Sequence, residues 1–92
     1  MATRIIECKN DRTDRPSVAA MLREQSAMTA TGTSTPSAAF GEGCNEVLVQ
    51  SDEAIYVYVG KSPTATTNSY KIAAGSEQAF RTEPGHQVAI RT

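Results

Sequence analysis

The sequence contains no Trp, a single His and two Cys, and its only aromatic residues are three Tyr and two Phe in 92 positions. One His and two Cys leave little material for a metal site or a nucleophile–base pair. Nine Lys and Arg stand against ten Asp and Glu, a formal net charge of −1. Nucleic-acid binding needs a basic patch to neutralise phosphates, and anionic membranes attract polybasic segments, so neither partner is expected. No apolar run approaches the roughly 18 residues of a membrane span. The first ten residues lack the apolar stretch of about 7–15 residues that a secretory leader requires. Synthesis in the cytoplasm and a soluble product are therefore expected. Cys8 and Cys44 show no CxxC spacing and read as free, small hydrophobic residues.

The hydrophobic fraction is 39%, but 13 of those residues are Ala. That leaves 21 larger apolar side chains, and Ser and Thr together number 19. A chain of this size forms one small domain at most and is marginal alone. The apolar residues are uneven: residues 40–92 hold 14 of the 21 and all five aromatics. Stability is expected to come mainly from this half.

Residues 40–92 read as short strands separated by turns. Glu46–Gln50 is β-branched and apolar. Ala54–Gly60 alternates, with Ile55, Val57 and Val59 on one face and Tyr56 and Tyr58 on the other, which predicts a central strand covered on both faces. Ser69–Ala73 places Tyr70 and Ile72 together, Gln78–Thr82 centres on Phe80, and Gln87–Arg91 turns Val88 and Ile90 inward with Ala89 outward. Pro84-Gly85 suits the centre of a type II turn. Strands at this spacing predict a mainly β protein with an antiparallel sandwich or small barrel.

Residues 1–39 differ. Thr3–Glu7 is strand-like around Ile5 and Ile6. Pro16–Gln25 predicts a short helix, because Pro suits the first helical position and Val18, Met21 and Leu22 follow an i, i+3, i+4 stripe. A helix of about ten residues is unstable alone in water, so its stripe must dock on something, its own sheet being the simplest choice. Gln25–Gly41 carries no charge, and 26–39 is rich in Ser, Thr and Ala. Two readings stay open: a flexible linker, or an extended segment ordered against a partner surface. The domain division is an N-terminal arm over 1–39 and a β domain over 40–92.

No constellation carries chemistry. His86 follows Glu83-Pro84-Gly85 and reads as a surface turn residue; no nucleophile elbow accompanies it. Gly41-Glu42-Gly43 lacks the third Gly of a dinucleotide loop, and Gly60-Lys61-Ser62 lacks the upstream Gly of a phosphate loop. The carboxylates fall at turns and strand ends. Tyr56 and Tyr58 have no interleaved basic residues and read as sheet packing. No enzyme, cofactor or metal is expected. A β domain of 53 residues would have a thin core and two bare edges, which soluble monomers rarely leave exposed. An assembly subunit whose arm adds contact area on neighbours fits this mismatch.

The runs Ile55-Tyr56-Val57-Tyr58-Val59-Gly60-Lys61-Ser62-Pro63-Thr64-Ala65-Thr66, Ala73-Ala74-Gly75-Ser76-Glu77-Gln78-Ala79-Phe80 and Pro84-Gly85-His86-Gln87-Val88-Ala89-Ile90 resemble small virion structural proteins of tailed bacteriophages. The resemblance covers about residues 45–92. It implies a jelly-roll-like β-sandwich with an extended N-terminal arm containing one short helix. It further implies a non-enzymatic capsid cement (decoration) protein on the virion surface, made in the host cytoplasm. The partner would be the major capsid protein, and the chain would be a homo-oligomer, with a trimer favoured by shell symmetry. Ile5, Ile6, Val18, Met21, Leu22 and Met28 would anchor the arm. A head–tail connector or tail accessory protein is the alternative, and a carbohydrate- or receptor-binding β-module a further one, distinguished by exposed rather than buried tyrosines.

Overall fold

The computed structural model describes residues 2–9 and 20–92, with Ala20 and Met21 described by their backbone alone. The described protein is mainly β. Its strands are β1 (Thr3–Lys9), β2 (Ala20–Glu24), β3 (Thr35–Pro36), β4 (Glu46–Ser51), β5 (Ile55–Gly60), β6 (Tyr70–Ile72), β7 (Glu77–Arg81) and β8 (Gln87–Arg91). They form two four-stranded sheets, ordered β2-β1-β4-β7 and β3-β8-β5-β6. Every pairing is antiparallel.

Alternation explains the strands. In β4, Val47, Val49 and Ser51 are buried while Glu46, Leu48 and Gln50 are half-buried. In β5, Ile55 and Val57 face the core. Ile5 from the first sheet joins Val47, Val49, Ile55, Val57, Ile72, Val88 and Ile90 in one cluster, completed by Ala30, Phe40 and Cys44. Both sheets thus share a single core. Each fully buried Val or Ile contributes about 1.5–3 kcal/mol relative to exposure.

The turns follow their residues. Gly85 has φ +85°, and His86 N–H donates to Glu83 C=O at 3.1 Å, as a type II turn over Pro84-Gly85 requires. β5 is a central strand, between β8 and β6. Its outer face is not covered as expected, since Tyr58 is 54% exposed. A tyrosine tolerates this because its hydroxyl is solvated while its ring lies on neighbours. Ala89, expected outward, is fully buried between Pro36 of β3 and Tyr58 of β5 in the strand register.

One expectation for the N-terminal half is corrected. Where the helix over Pro16–Gln25 is described, the chain is a strand: β2 pairs with β1, with a register irregularity at Glu7/Cys8 that leaves Leu22 out of the paired positions. A short amphipathic helix gains little by itself, whereas pairing satisfies the backbone groups along the outer edge of β1. The first part of that helix, with Val18, lies outside the described residues. Strand pairing also runs across position 39/40. β1 lies between β2 and β4 in the first sheet, and β3 pairs with β8 in the second. Thr3–Lys9 is a full strand because Ile5 supplies core on one face and its backbone completes a ladder with β4.

The uncharged segment is ordered against this chain's own sheets. Thr3 and Met28 exchange backbone hydrogen bonds at 2.7 and 2.9 Å, Ser37 N–H donates to Val88 C=O at 2.7 Å, and Phe40 N–H donates to His86 C=O at 2.8 Å. Thr92 N–H donates to Thr31 C=O at 2.8 Å. Small residues permit this close backbone approach.

Candidate binding surfaces

The sequence-predicted anchors are not brought together on one surface. Ile5 is fully buried in the core, and Ile6 is 8% exposed on β1. Both are buried within this chain's own fold. Met28 is half-buried against the core cluster. Leu22 is 44% exposed and, among the described side chains of the set, is the one that presents apolar surface. Met21 is placed on β2, opposite Cys8, by its backbone.

The weighed chemical residues occupy ordinary positions. His86 Nε2 lies 3.3 Å from Glu83 Oε2 across the turn that carries both. Cys8 and Cys44 are free and buried. Burial pushes both thiols above their usual range. Among the described residues no group of three His, Cys, Asp or Glu is placed to hold a metal ion.

Two arrangements stand out. The first is a buried carboxylate. Glu7 shares the core-facing parity of Thr3 and Ile5 and is 1% exposed. Its Oε1 accepts from Gly41 N–H at 2.7 Å. Its Oε2 accepts from Arg23 Nε at 2.7 Å and Gln25 Nε2 at 3.0 Å. Arg23 Nη2 also donates to Ala39 C=O, and Gln25 exchanges hydrogen bonds with Ala38 through both ends of its amide. Burial pushes the Glu7 carboxyl up, but the donors from Gly41, Gln25 and Arg23 outweigh it and hold the group below the ordinary carboxylate range. Chemically this is a clasp: it fastens residues 38–41 to β1 and β2.

The second is an open groove of about 710 Å³ where the two sheets part, beside edge strands β6 and β7. Tyr70 and Phe80 meet edge-to-face across the gap, with ring centroids 5.5 Å apart and planes at 89°. Val57 and Val59 lie behind them, the β5–β6 loop contributes Thr64, Thr66, Asn68 and Ser69, and Tyr58 and Arg81 border the opening. Tyr58 and Tyr70 are each 54% exposed. Aromatic faces beside hydroxyl and amide groups are suited to a ligand with an apolar face and polar edges.

Sequence reasoning missed the clasp. Its signal was parity: Glu7 lies two residues from Ile5, on the face a strand would bury. It also read Tyr56 and Tyr58 as sheet packing, because whether the outer face of a central strand is covered is invisible before the layers are known. No family model matches the chain, and comparison with curated proteins and with solved structures finds no match.

Proposed function

We propose that this chain is a non-enzymatic phage virion structural protein: a capsid cement (decoration) protein that binds the assembled major capsid protein lattice and stabilises it. Its body is read as a small jelly-roll β-sandwich. The observation that carries the reading is strand order. Successive strands β2, β3, β4 and β5 alternate between the sheets, β5 and β6 form a hairpin within one sheet, and β6, β7 and β8 alternate again. A jelly roll has this order, with β1 occupying the place of that fold's final strand beside β2. Viral capsid and lectin domains use jelly rolls. The step from fold to function is an analogy, supported by the resemblance over about residues 45–92.

The mechanism is mass action. A protein that binds only the assembled lattice shifts the equilibrium towards it. The partner is the major capsid protein, the location the capsid surface, and the chain sits there as a closed homo-oligomer. The test is quantitative mass spectrometry of purified particles. A copy number comparable to that of the major capsid protein is expected. A copy number of about six or twelve would instead indicate a head–tail connector or tail accessory ring. Absence from the particle overturns the reading.

A second reading, a carbohydrate- or receptor-binding β-module, is favoured by one observation: Tyr58 and Tyr70 are exposed at an aromatic groove. Binding on a glycan array that is lost on Tyr70→Ala would establish it; no binding would remove it.

A further inference from the structure

We infer that β7 is a self-complementary edge through which two copies of this chain join antiparallel, making one continuous sheet across a two-fold axis. Among the described residues β7 ends its sheet, bonded to β4 alone. Its phase against β4 is fixed at both ends: Thr82 N–H donates to Asn45 C=O at 3.0 Å, and Ser51 N–H donates to Ser76 C=O at 3.3 Å. Hydrogen-bonded pairs alternate along an antiparallel ladder, so Phe80 and Gln78 face Val47 and Val49 with their backbone groups. The N–H and C=O groups of Glu77, Ala79 and Arg81 therefore point away from β4, along the free edge.

The edge lacks the usual protection. Its sequence, Glu77-Gln78-Ala79-Phe80-Arg81, contains no Lys and no Pro, which are the common devices against edge pairing. Its charges instead match themselves. If two copies pair with Ala79 opposite Ala79, then Glu77 of each lies opposite Arg81 of the other. All three outward-pointing positions then fall at hydrogen-bonded pairs. The same register cannot be reached by a slip of two residues without losing both ion pairs. A two-fold interface requires this kind of self-complementarity.

The side chains agree with the backbone. Glu77, Ala79 and Arg81 lie opposite Gln50, Leu48 and Glu46, on the face away from the core. Across the joined sheet one row would read Glu46, Arg81, then Glu77 and Gln50 of the copy, with Arg81 between two carboxylates. Ala79 at the axis is small enough for close approach. Gln78 Nε2 donates to Ala79 C=O at 3.2 Å, and that oxygen keeps a second lone pair for the copy. On the inner face, Gln78 of the copy would cover Phe80, which is half-buried in the single chain.

The pairing does not depend on the capsid assignment. Its test is sedimentation equilibrium of the full chain over a dilution series, with circular dichroism to check folding. The wild type is expected to be a concentration-dependent dimer. Ala79→Pro removes an outward N–H that the β4 ladder does not use, and is expected to give a folded monomer. Glu77→Arg replaces both attractive pairs by repulsive ones and is expected to weaken dimerisation by roughly tenfold or more. Adding Arg81→Glu to Glu77→Arg restores complementarity and is expected to recover dimerisation. A monomer at the highest concentration, a trimer, or a dimer unaffected by Glu77→Arg overturns the inference; the charge variants keep the test decisive if Ala79→Pro fails to fold.

Discussion

Arg23 Nε donates to Glu7 Oε2 at 2.7 Å, joining a half-exposed guanidinium on β2 to a carboxylate that is 1% exposed on β1. The same carboxylate takes the N–H of Gly41, 34 residues along the chain. One charged group thereby fastens two strands and a loop. A buried acceptor without its donors would be costly, so the clasp either forms completely or destabilises the fold. Glu7→Gln keeps the size but replaces one acceptor by a donor facing Arg23 and Gln25. It is expected to lower stability by about 1–3 kcal/mol, the cost of leaving a buried donor or acceptor unsatisfied. The guanidinium of Arg23 stays solvated on its outer side, so the larger penalty of a stranded buried charge does not apply. Urea denaturation of the two proteins, compared at equal m-value, measures the difference.

The clasp also sets a pH dependence. Burial works against the charged form of Glu7, but the donors from Gly41, Gln25 and Arg23 prevail, and its pKa in the fold lies below the ordinary value of 4.5. A carboxyl with a depressed native pKa binds more protons unfolded than folded across that interval. Stability therefore rises with pH through it. The contribution is complete above the unfolded pKa and is lost as pH falls through the folded one. Wild type is expected to lose stability below about pH 4.5, and Glu7→Gln to show a flatter profile there. Glu24, also depressed by its hydrogen bond to Arg4, sits on the surface and adds little. Urea midpoints measured from neutral to acid pH on both proteins separate the two profiles.

Across the groove, Tyr70 on β6 and Phe80 on β7 form the contact that closes the side of the core where the sheets part. An edge-to-face pair contributes about 0.5–1.5 kcal/mol beyond its buried area. A double-mutant cycle with Tyr70→Leu and Phe80→Leu is expected to give a coupling in that range. Additive losses would mean that each ring packs on its own strand without reference to the other.

How much of this was legible beforehand depends on what each feature requires. The strands of residues 46–91 were legible because β-branched and aromatic residues mark them, alternating in β4, β5 and β8, and because Gly85 and Gly75 sit where turns need φ above zero. β2 was not. Met21 and Leu22 fit a helical stripe, and the pairing that overrides it comes from β1, eleven or more residues earlier in the chain. Propensity is local, whereas a sheet edge in need of a partner is not. The hydroxyl-rich segment was ambiguous for the same reason: its order comes from Val88, His86 and Thr3, which no local window contains. The clasp was hidden because a charged residue at core parity reads as a strand end until its donors are located.

Gly85 offers a check on the turn that joins β7 to β8. At φ +85° it occupies the left-handed region, where a side chain is strained although no neighbour lies within 4 Å of an added Cβ. Gly85→Ala is therefore expected to cost about 1 kcal/mol or somewhat more from backbone conformation alone. Since Gly85 N–H also donates to Phe40 C=O at 2.9 Å, loosening the turn should speed hydrogen exchange at Phe40 and His86 before it affects β4. Uniform exchange across the protein would show that the turn does not open as a local unit.

Ile5 and Leu22 test the role of the N-terminal half. Both were expected to anchor an arm on a partner, and the fold assigns them opposite positions: Ile5 is fully buried among Val47, Val49 and the second sheet, while Leu22 is 44% exposed at a register irregularity. Removing a buried Ile costs its transfer free energy plus that of the cavity it leaves, so Ile5→Ala is expected to lose about 2–5 kcal/mol. Leu22→Ala should change stability by about 0.5 kcal/mol or less, as exposed substitutions usually do. If β1 were a detachable arm, Ile5→Ala would leave thermal unfolding almost unchanged. If β1 is the interior strand of its sheet, the variant unfolds at a clearly lower temperature while Leu22→Ala tracks the wild type. A shift of about 4–8 °C per kcal/mol in a domain of this size makes the two outcomes easy to distinguish by calorimetry.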